Sequence, residues 1–319
     1  MMSETDIRKS EPNPLLKLVR ESAGMRLAVL FSTFFIFLIL SSIIGGMIEK
    51  IDGLGERERM LLTSLVQCVF AFCLPAIILA KFASKNWMEW LKMKKLPSIK
   101  TVCGVIIVYL ISMPAMEWLI AWNANIRLPE AMSGLEATFR QWEDNAAATT
   151  QLLLDAHGFF PVLAGILVIG VATGFAEELF FRGGFQGLLM HSQMKSWLCV
   201  WMAATLFSFM HFQFFGFLPR LLMGAFFGYL LLWTRSVWVP VFAHILNNSM
   251  VVVASAVSGN PLEGVLDQEK TDAMISSPAI VIGSVVMTFI FFAFFRNRFF
   301  NNKGSSDIPL LTRNSFNNA

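Results

Sequence analysis

Eight stretches of this chain are long and apolar enough to be read as helices that cross a lipid bilayer, a number no soluble fold accommodates. A crossing helix needs about 20 mostly apolar residues. Leu27–Ile48, Leu61–Ala80, Thr101–Trp122, Phe159–Phe180, Trp197–His211, Phe217–Thr234, Val237–Ala256 and Pro278–Phe295 meet or approach that length, and the fifth looks short. Composition agrees: 55% of the residues are hydrophobic, 15% are charged, and Phe alone occurs 31 times. Soluble domains carry about 25% charge, so disorder is excluded and an ordinary cytosolic enzyme is disfavoured. The expected fold class is all-α, a polytopic membrane helical bundle of about eight transmembrane helices. The first stretch is too long for a signal-peptide core and no small-residue cleavage site follows it, so it is expected to remain as a span.

The net charge of +3 is too small to argue for nucleic acid as a partner. The positions of Lys and Arg say more about topology, because cytoplasmic loops collect them. With the N-terminus in the cytoplasm, the outside loops hold Lys50, Arg57, Arg59, Arg127, Arg140 and Lys270, and most of the 25 Lys and Arg fall inside. Both termini are therefore expected to be cytoplasmic, in a multi-pass protein of the cell (plasma or inner) membrane. The expected organisation is a cytoplasmic leader over 1–26, transmembrane helices with an outer loop over 27–157, and a core over 158–256. An outer loop and last helix over 257–295 and a disordered cytoplasmic tail over 296–319 complete it. Within the first outer loop, Leu135–Leu154 reads as an interfacial helix. Gly224 and Gly228 offer a small-residue face for close helix packing. Cys68, Cys73, Cys103 and Cys199 lie in apolar runs without metal-ligand spacing and read as small buried hydrophobes.

Ionisable groups inside a bilayer cost roughly 2.5–3.5 kcal/mol each on insertion scales, so each one asks for a reason. Glu117, Glu177, Glu178, Arg182, His211 and His244 lie in or beside the expected spans, with Asn247 and Asn248, and most of them fall in the second half of the chain. Glu178 and Arg182 are four apart and share a helix face, so they can pair. Glu177 is rotated by about 100° from Glu178, which leaves it free for chemistry; a buried network that only stabilises packing fits the same spacing. His211 follows Phe207 by one turn, and Phe207 would fix its ring; a lone histidine at a helix end is more often a satisfied interfacial residue. His244 and Asn248 are again four apart and suit a donor pair directed at a substrate oxygen, or an interhelical hydrogen bond. A carboxylate, two imidazoles and an amide are together the inventory for activating water and holding an oxyanion.

The blocks Glu177-Glu178…Arg182, Phe207…His211 and His244…Asn248, in this order, resemble the CPBP intramembrane protease family, which includes the type II CAAX prenyl endopeptidases and bacteriocin-processing relatives. The resemblance covers about residues 158–256. It implies an intramembrane endopeptidase, a hydrolase acting on a membrane-associated peptide or protein. It also implies that Glu177 and His211 position and deprotonate a water, that His244 and Asn248 hold the oxyanion, and that Glu178, Arg182 and Phe207 support them. Family members have been described both as metalloproteases and as glutamate-dependent proteases. If a divalent metal such as zinc takes part, Glu177, His211 and His244 would hold it; with no His-Glu-x-x-His motif and with Asn248 a poor zinc ligand, no cofactor is expected to be required. Counted from its cytoplasmic helix end, His244 lies about 10 Å deep and His211 about 21 Å. Their convergence calls for a tilt, a displaced start of the fifth helix, or a polar cavity, expected to open to the cytoplasm with 213–217 near its floor. Two other functions use the same residues differently. In a proton-coupled transporter Glu117, Glu177 and the histidines would form a relay; in a non-catalytic scaffold or immunity protein only the fold would be retained.

Overall fold

The computed structural model describes residues 14–192, 194–259 and 275–301. The start of the expected leader, the loop containing Lys270 and the expected tail beyond residue 301 lie outside the described residues. Those described are almost entirely helical: α1 (Pro14–Glu21), α2 (Ala23–Ile48), α3 (Glu56–Ala83), α4 (Ile99–Ala124), α5 (Ser133–Leu154), α6 (Phe159–His191), α7 (Ser196–Phe209), α8 (Phe217–Thr234), α9 (Trp238–Ser258) and α10 (Pro278–Asn301). Among the described residues, α2, α3, α4, α6, α8, α9 and α10 have the length and hydropathy to cross a membrane. The chain is a polytopic membrane helical bundle.

Apolar side chains cover these helices on every side, as bilayer helices require. On α2, Phe35, Ile36, Ile39 and Ile43 are each more than half exposed. Water would penalise that surface, whereas hydrocarbon accepts it. The opposite face of α2 sends Leu30 and Phe34 into a core shared with α3, α6 and α7, where the rings of Phe72, Phe180, Phe181 and Phe207 meet largely edge to face. The cysteines follow the expected burial only in part: Cys68 and Cys199 are buried, Cys73 is half-buried, and Cys103 is exposed on α4.

The fifth expected span is short, as the sequence suggests. α7 has 14 residues, about 21 Å of helix against a hydrocarbon core of about 30 Å. The chain then reverses through Phe212, which adopts a left-handed φ of 53°. Ser208 on α7 donates to the Phe217 carbonyl across the turn at 2.6 Å, and Asn123 at the end of α4 accepts from the Leu218 N–H at 2.9 Å. The α7–α8 hairpin packs as its glycines suggested: a Cβ at Gly224 would lie 3.1 Å from the Ala204 Cα, and one at Gly228 would lie 2.9 Å from Val200 Cγ1.

α6 and α9 run antiparallel just as closely. Gly165 faces Val252, Gly170 faces Ser249, and Gly174 lies against Ile245. α6 is not a uniform helix, since it widens into π-helical turns at Ile166–Ala172 and Leu179–Gln186. Such turns disturb the regular hydrogen-bond ladder. Here the Val168 carbonyl accepts from the Thr173 hydroxyl and the Ile169 carbonyl from a side chain of α9.

The bundle has two distinguishable ends. At one, the basic segment between α3 and α4 meets the α8–α9 connection: the Val237 N–H donates to the Lys92 carbonyl and the Trp238 indole to the Met93 carbonyl. At the other lies α5, the expected interfacial helix. It is anchored by Arg140, which donates to the carbonyls of Ala124 and Ile126 and covers the Phe215 ring, and by stacking of Phe139 on Phe214.

Candidate active site

The site forms where α6 and α9 approach closely and the α7–α8 hairpin leans on both. Its buried half is a column on α6. Glu178, Arg182 and Gln186, four residues apart, are fully buried. Arg182 donates through Nη1 to Glu178 Oε1 and through Nη2 to the Gly224 carbonyl at 3.0 Å; Gln186 donates to the Gly228 carbonyl at 3.0 Å. The glycines that let α8 approach α7 thus also present carbonyls to the arginine and the amide. The guanidinium lies over the rings of Phe207 and Phe227 at 4.6 and 5.2 Å. A charge removed from water costs several kcal/mol unless it is paired and hydrogen-bonded (about that order per ion), and this arrangement meets both conditions.

Glu178 also reaches α9. His244 Nδ1 lies 2.8 Å from the same carboxylate oxygen that Arg182 uses. Because a carboxylate only accepts, Nδ1 carries the hydrogen and Nε2 is turned to the other side of the ring. There Glu177 Oε2 lies 3.9 Å from Nε2. That oxygen is buried and has no hydrogen-bond partner among the described residues. Glu177 and Glu178, adjacent in sequence, therefore differ in their partners: Glu178 accepts from an arginine and a histidine through Oε1, its Oε2 being buried without a hydrogen-bond partner among the described residues, whereas Glu177 Oε2 faces only the more distant His244 Nε2.

His211 joins from the α7–α8 turn. Its Nδ1 is 2.8 Å from the Phe207 carbonyl, again an acceptor only, so a neutral His211 presents Nε2 as a lone pair. This bond holds the ring back along α7. The Phe207 ring is wedged between the two imidazoles, 4.9 Å from His211 and 5.8 Å from His244. His244 stacks on Phe227 at 5.0 Å. Glu177 is within electrostatic reach of His211 and of Arg220.

Asn248 sits one turn beyond His244 on α9. One Nδ2 hydrogen is given to the Ile169 carbonyl at 3.1 Å, and its Oδ1 accepts from Asn247 at 3.1 Å. An amide nitrogen has two hydrogens, so one donor remains. Asn247, which helical rotation points elsewhere, is drawn into the group through this bond. Glu117 takes no part: it is half-buried on α4, and the group in its electrostatic reach is Tyr109 on the same helix.

The expected opening toward the side of both termini is not supported by the packing. Between the site and the basic end, Leu231, Val237 and Val241 are buried together with Phe175 and Trp238 against them. The partly exposed polar groups, His211, Gln213, Arg220, Asn247 and Asn248, lie toward the α5 end. There Glu143 on α5 faces Arg220 on α8 within electrostatic reach, and burial raises the Glu143 carboxyl while the two arginines Arg220 and Arg140 oppose the rise. Gln186 and Arg220 are the neighbours that sequence reasoning did not assign. Gln186 had a visible signal, the continuation of the four-residue spacing of Glu178 and Arg182; Arg220 had none beyond being a charge in an apolar run.

Among the described residues no group of three His, Cys, Asp or Glu side chains is arranged to hold a metal ion. Glu177, His211 and His244 do not form such a group, although the bonds from His244 Nδ1 to Glu178 and from His211 Nδ1 to a carbonyl leave both Nε2 atoms turned away from those partners.

Comparison with known proteins bears on the same segment. The family model described as type II CAAX prenyl endopeptidase Rce1-like matches residues 159–250, from the start of α6 to the middle of α9. "Putative membrane peptidase YdiL" of Bacillus subtilis (strain 168) is 27% identical over 126 residues, 40% of this chain and 49% of that protein. The chain thus spans about half the length of the curated relative it matches. No solved structure matches. All three motif blocks, and every side chain of the buried column, fall inside the segment that is similar to the type II CAAX prenyl endopeptidase family.

Proposed function

We propose that this protein is an intramembrane endopeptidase that hydrolyses a peptide bond of a membrane-associated substrate with a water activated by Glu177 and His211. The observation that carries the reading is the unpartnered Glu177 Oε2, 3.9 Å from His244 Nε2 and in reach of His211. A carboxylate buried without a partner is costly, and a bound water between these groups would satisfy it.

The steps follow from the hydrogen bonds. Glu177, with the His211 Nε2 lone pair beside it, takes a proton from the water, and the hydroxide attacks the substrate carbonyl. The oxyanion that forms accepts from His244 Nε2–H and from the second Nδ2 hydrogen of Asn248. Donation from Nε2 requires both ring nitrogens of His244 to carry hydrogens, with Nδ1–H given to the Glu178 carboxylate. Arg182 holds Glu178 in place. The proton taken from water then passes to the leaving amine as the C–N bond breaks. This scheme uses the chain's own residues, with no metal required.

Purified protein in lipid nanodiscs, offered a peptide library, is expected to cleave, and His211→Ala is expected to lose about 10²–10⁴ of the rate. EDTA is expected to leave the rate unchanged. Equal cleavage by wild type and His211→Ala would reject the assigned chemistry.

We place the protein in the cell membrane with both termini in the cytoplasm, on the asymmetry of Lys and Arg between the two ends. The α5 end, toward which the polar groups of the site lie, is then outside. A cysteine introduced at the exposed Asp144 on α5 is expected to react with a membrane-impermeant maleimide in intact cells, and one at Lys94 only after lysis. The reverse pattern would invert the topology.

A further inference from the structure

Arg220 is the charged group near the site that the proposed chemistry leaves unused. It stands in the first turn of α8, at the polar end of the site, and its guanidinium lies against Gly216, where an added Cβ would collide with it. Nη2 donates to Gln213 Oε1. Nη1 is buried and has no hydrogen-bond partner, and Arg220 forms no ion pair among the described residues. Other arginines that reach into the protein use both ends of the fork: Arg182 on Glu178 and Gly224, Arg57 on the carbonyls of Leu153 and Pro161, Arg140 on those of Ala124 and Ile126. Arg220 has a neutral amide on one side of the fork and nothing on the other. Its charge is felt at Glu177, at His211 and at Glu143. The two carboxylates are near enough to act on it and yet each keeps a buried oxygen without a hydrogen bond.

A guanidinium presents two parallel N–H groups that match a carboxylate, and an unmet charged donor in an apolar setting carries a penalty that a ligand can relieve. We propose that Arg220 is a specificity-determining residue that binds a carboxylate of the substrate, next to the bond placed over Glu177. The inference rests on the hydrolase reading for what is bound, not for whether binding occurs. Gln213 gives way to the incoming carboxylate or shares it, and Gly216 keeps the space the guanidinium needs. The carboxylate comes either from the substrate's C-terminus or from an Asp or Glu side chain near the cleaved bond; both offer the same pair of oxygens.

A fluorescein-labelled decapeptide of Ala, Leu, Val and Ser separates these possibilities in three forms: free C-terminal acid, C-terminal amide, and amide with one Glu near the end. Binding is measured in nanodiscs to the Glu177→Gln chain with and without Arg220→Gln, and cleavage is measured with the chain carrying Glu177. The acid-bearing peptides are expected to bind about 10- to 100-fold more tightly than the plain amide, and Arg220→Gln to remove that difference. Arg220→Lys should restore part of it, and the effect on cleavage should fall on KM rather than kcat. The form that binds tightly identifies the source of the carboxylate. Equal binding of acid and amide overturns the proposal, as does a loss on Arg220→Gln that is the same for all three peptides, which a structural role or a closed Arg220–Glu143 pair would produce. Carboxylate-dependent binding without cleavage keeps the binding role and rejects the hydrolase; cleavage without carboxylate dependence does the opposite.

Discussion

Glu177→Gln is expected to lower peptide hydrolysis by about 10²–10⁴-fold or more while the protein stays folded. The substitution preserves shape and changes a carboxylate whose Oε2 is buried, 3.9 Å from His244 Nε2 and without a hydrogen-bond partner among the described residues. Because that oxygen makes no hydrogen bond among the described residues, its loss should cost little stability. The measurement is a pair: initial rates on a cleaved peptide, and thermal denaturation of the same preparation in lipid. A variant that melts like the wild type and does not cleave supports the role of Glu177 in the reaction. A variant that cleaves normally removes it from the mechanism, whatever its stability.

Glu178→Ala should behave in the opposite manner, although it is the neighbouring residue and the same side chain. Glu178 is fully buried and accepts from both Arg182 and His244. Removing it leaves a guanidinium inside the bundle without its counter-charge and frees Nδ1 of His244. Breaking one side of a buried pair costs about 3–5 kcal/mol. The expected result is a marked loss of thermal stability in lipid and poor recovery of folded protein. Changing Glu178 and Arg182 together to Leu and Met should restore much of the stability, because no lone charge remains, but not the activity, because His244 then lacks the group that fixes its ring. If Glu178→Ala and Glu177→Gln prove equally stable, the division of labour between the two carboxylates is wrong.

The geometry behind that expectation is legible in the sequence. Helical periodicity puts Glu178 and Arg182 on one face and rotates Glu177 away from it, and the contacts of the buried column follow that geometry. The same is true of the glycines at 224 and 228, whose spacing announces a close helix contact and which meet α7 as expected. The extension of the column to Gln186 follows from one more step of the same period. Less was visible at Asn248. The four-residue spacing from His244 places it on the right face, but its bond to the Ile169 carbonyl depends on a π-helical turn in α6 that spacing does not reveal.

Membrane residence, the number of apolar segments and the grouping of polar residues in the second half of the chain were settled by local facts: the length of apolar runs and the cost of charge in hydrocarbon. Those quantities belong to single segments and are additive along the chain, so the linear order of residues determines them. Three matters were decided only by packing between helices. The fifth apolar run turns back at Phe212, the Glu178 carboxylate is shared between Arg182 and His244, and the polar groups lie toward α5 rather than toward the basic end. Each depends on where one helix rests against another, which is set by side chains far apart in the chain meeting in space.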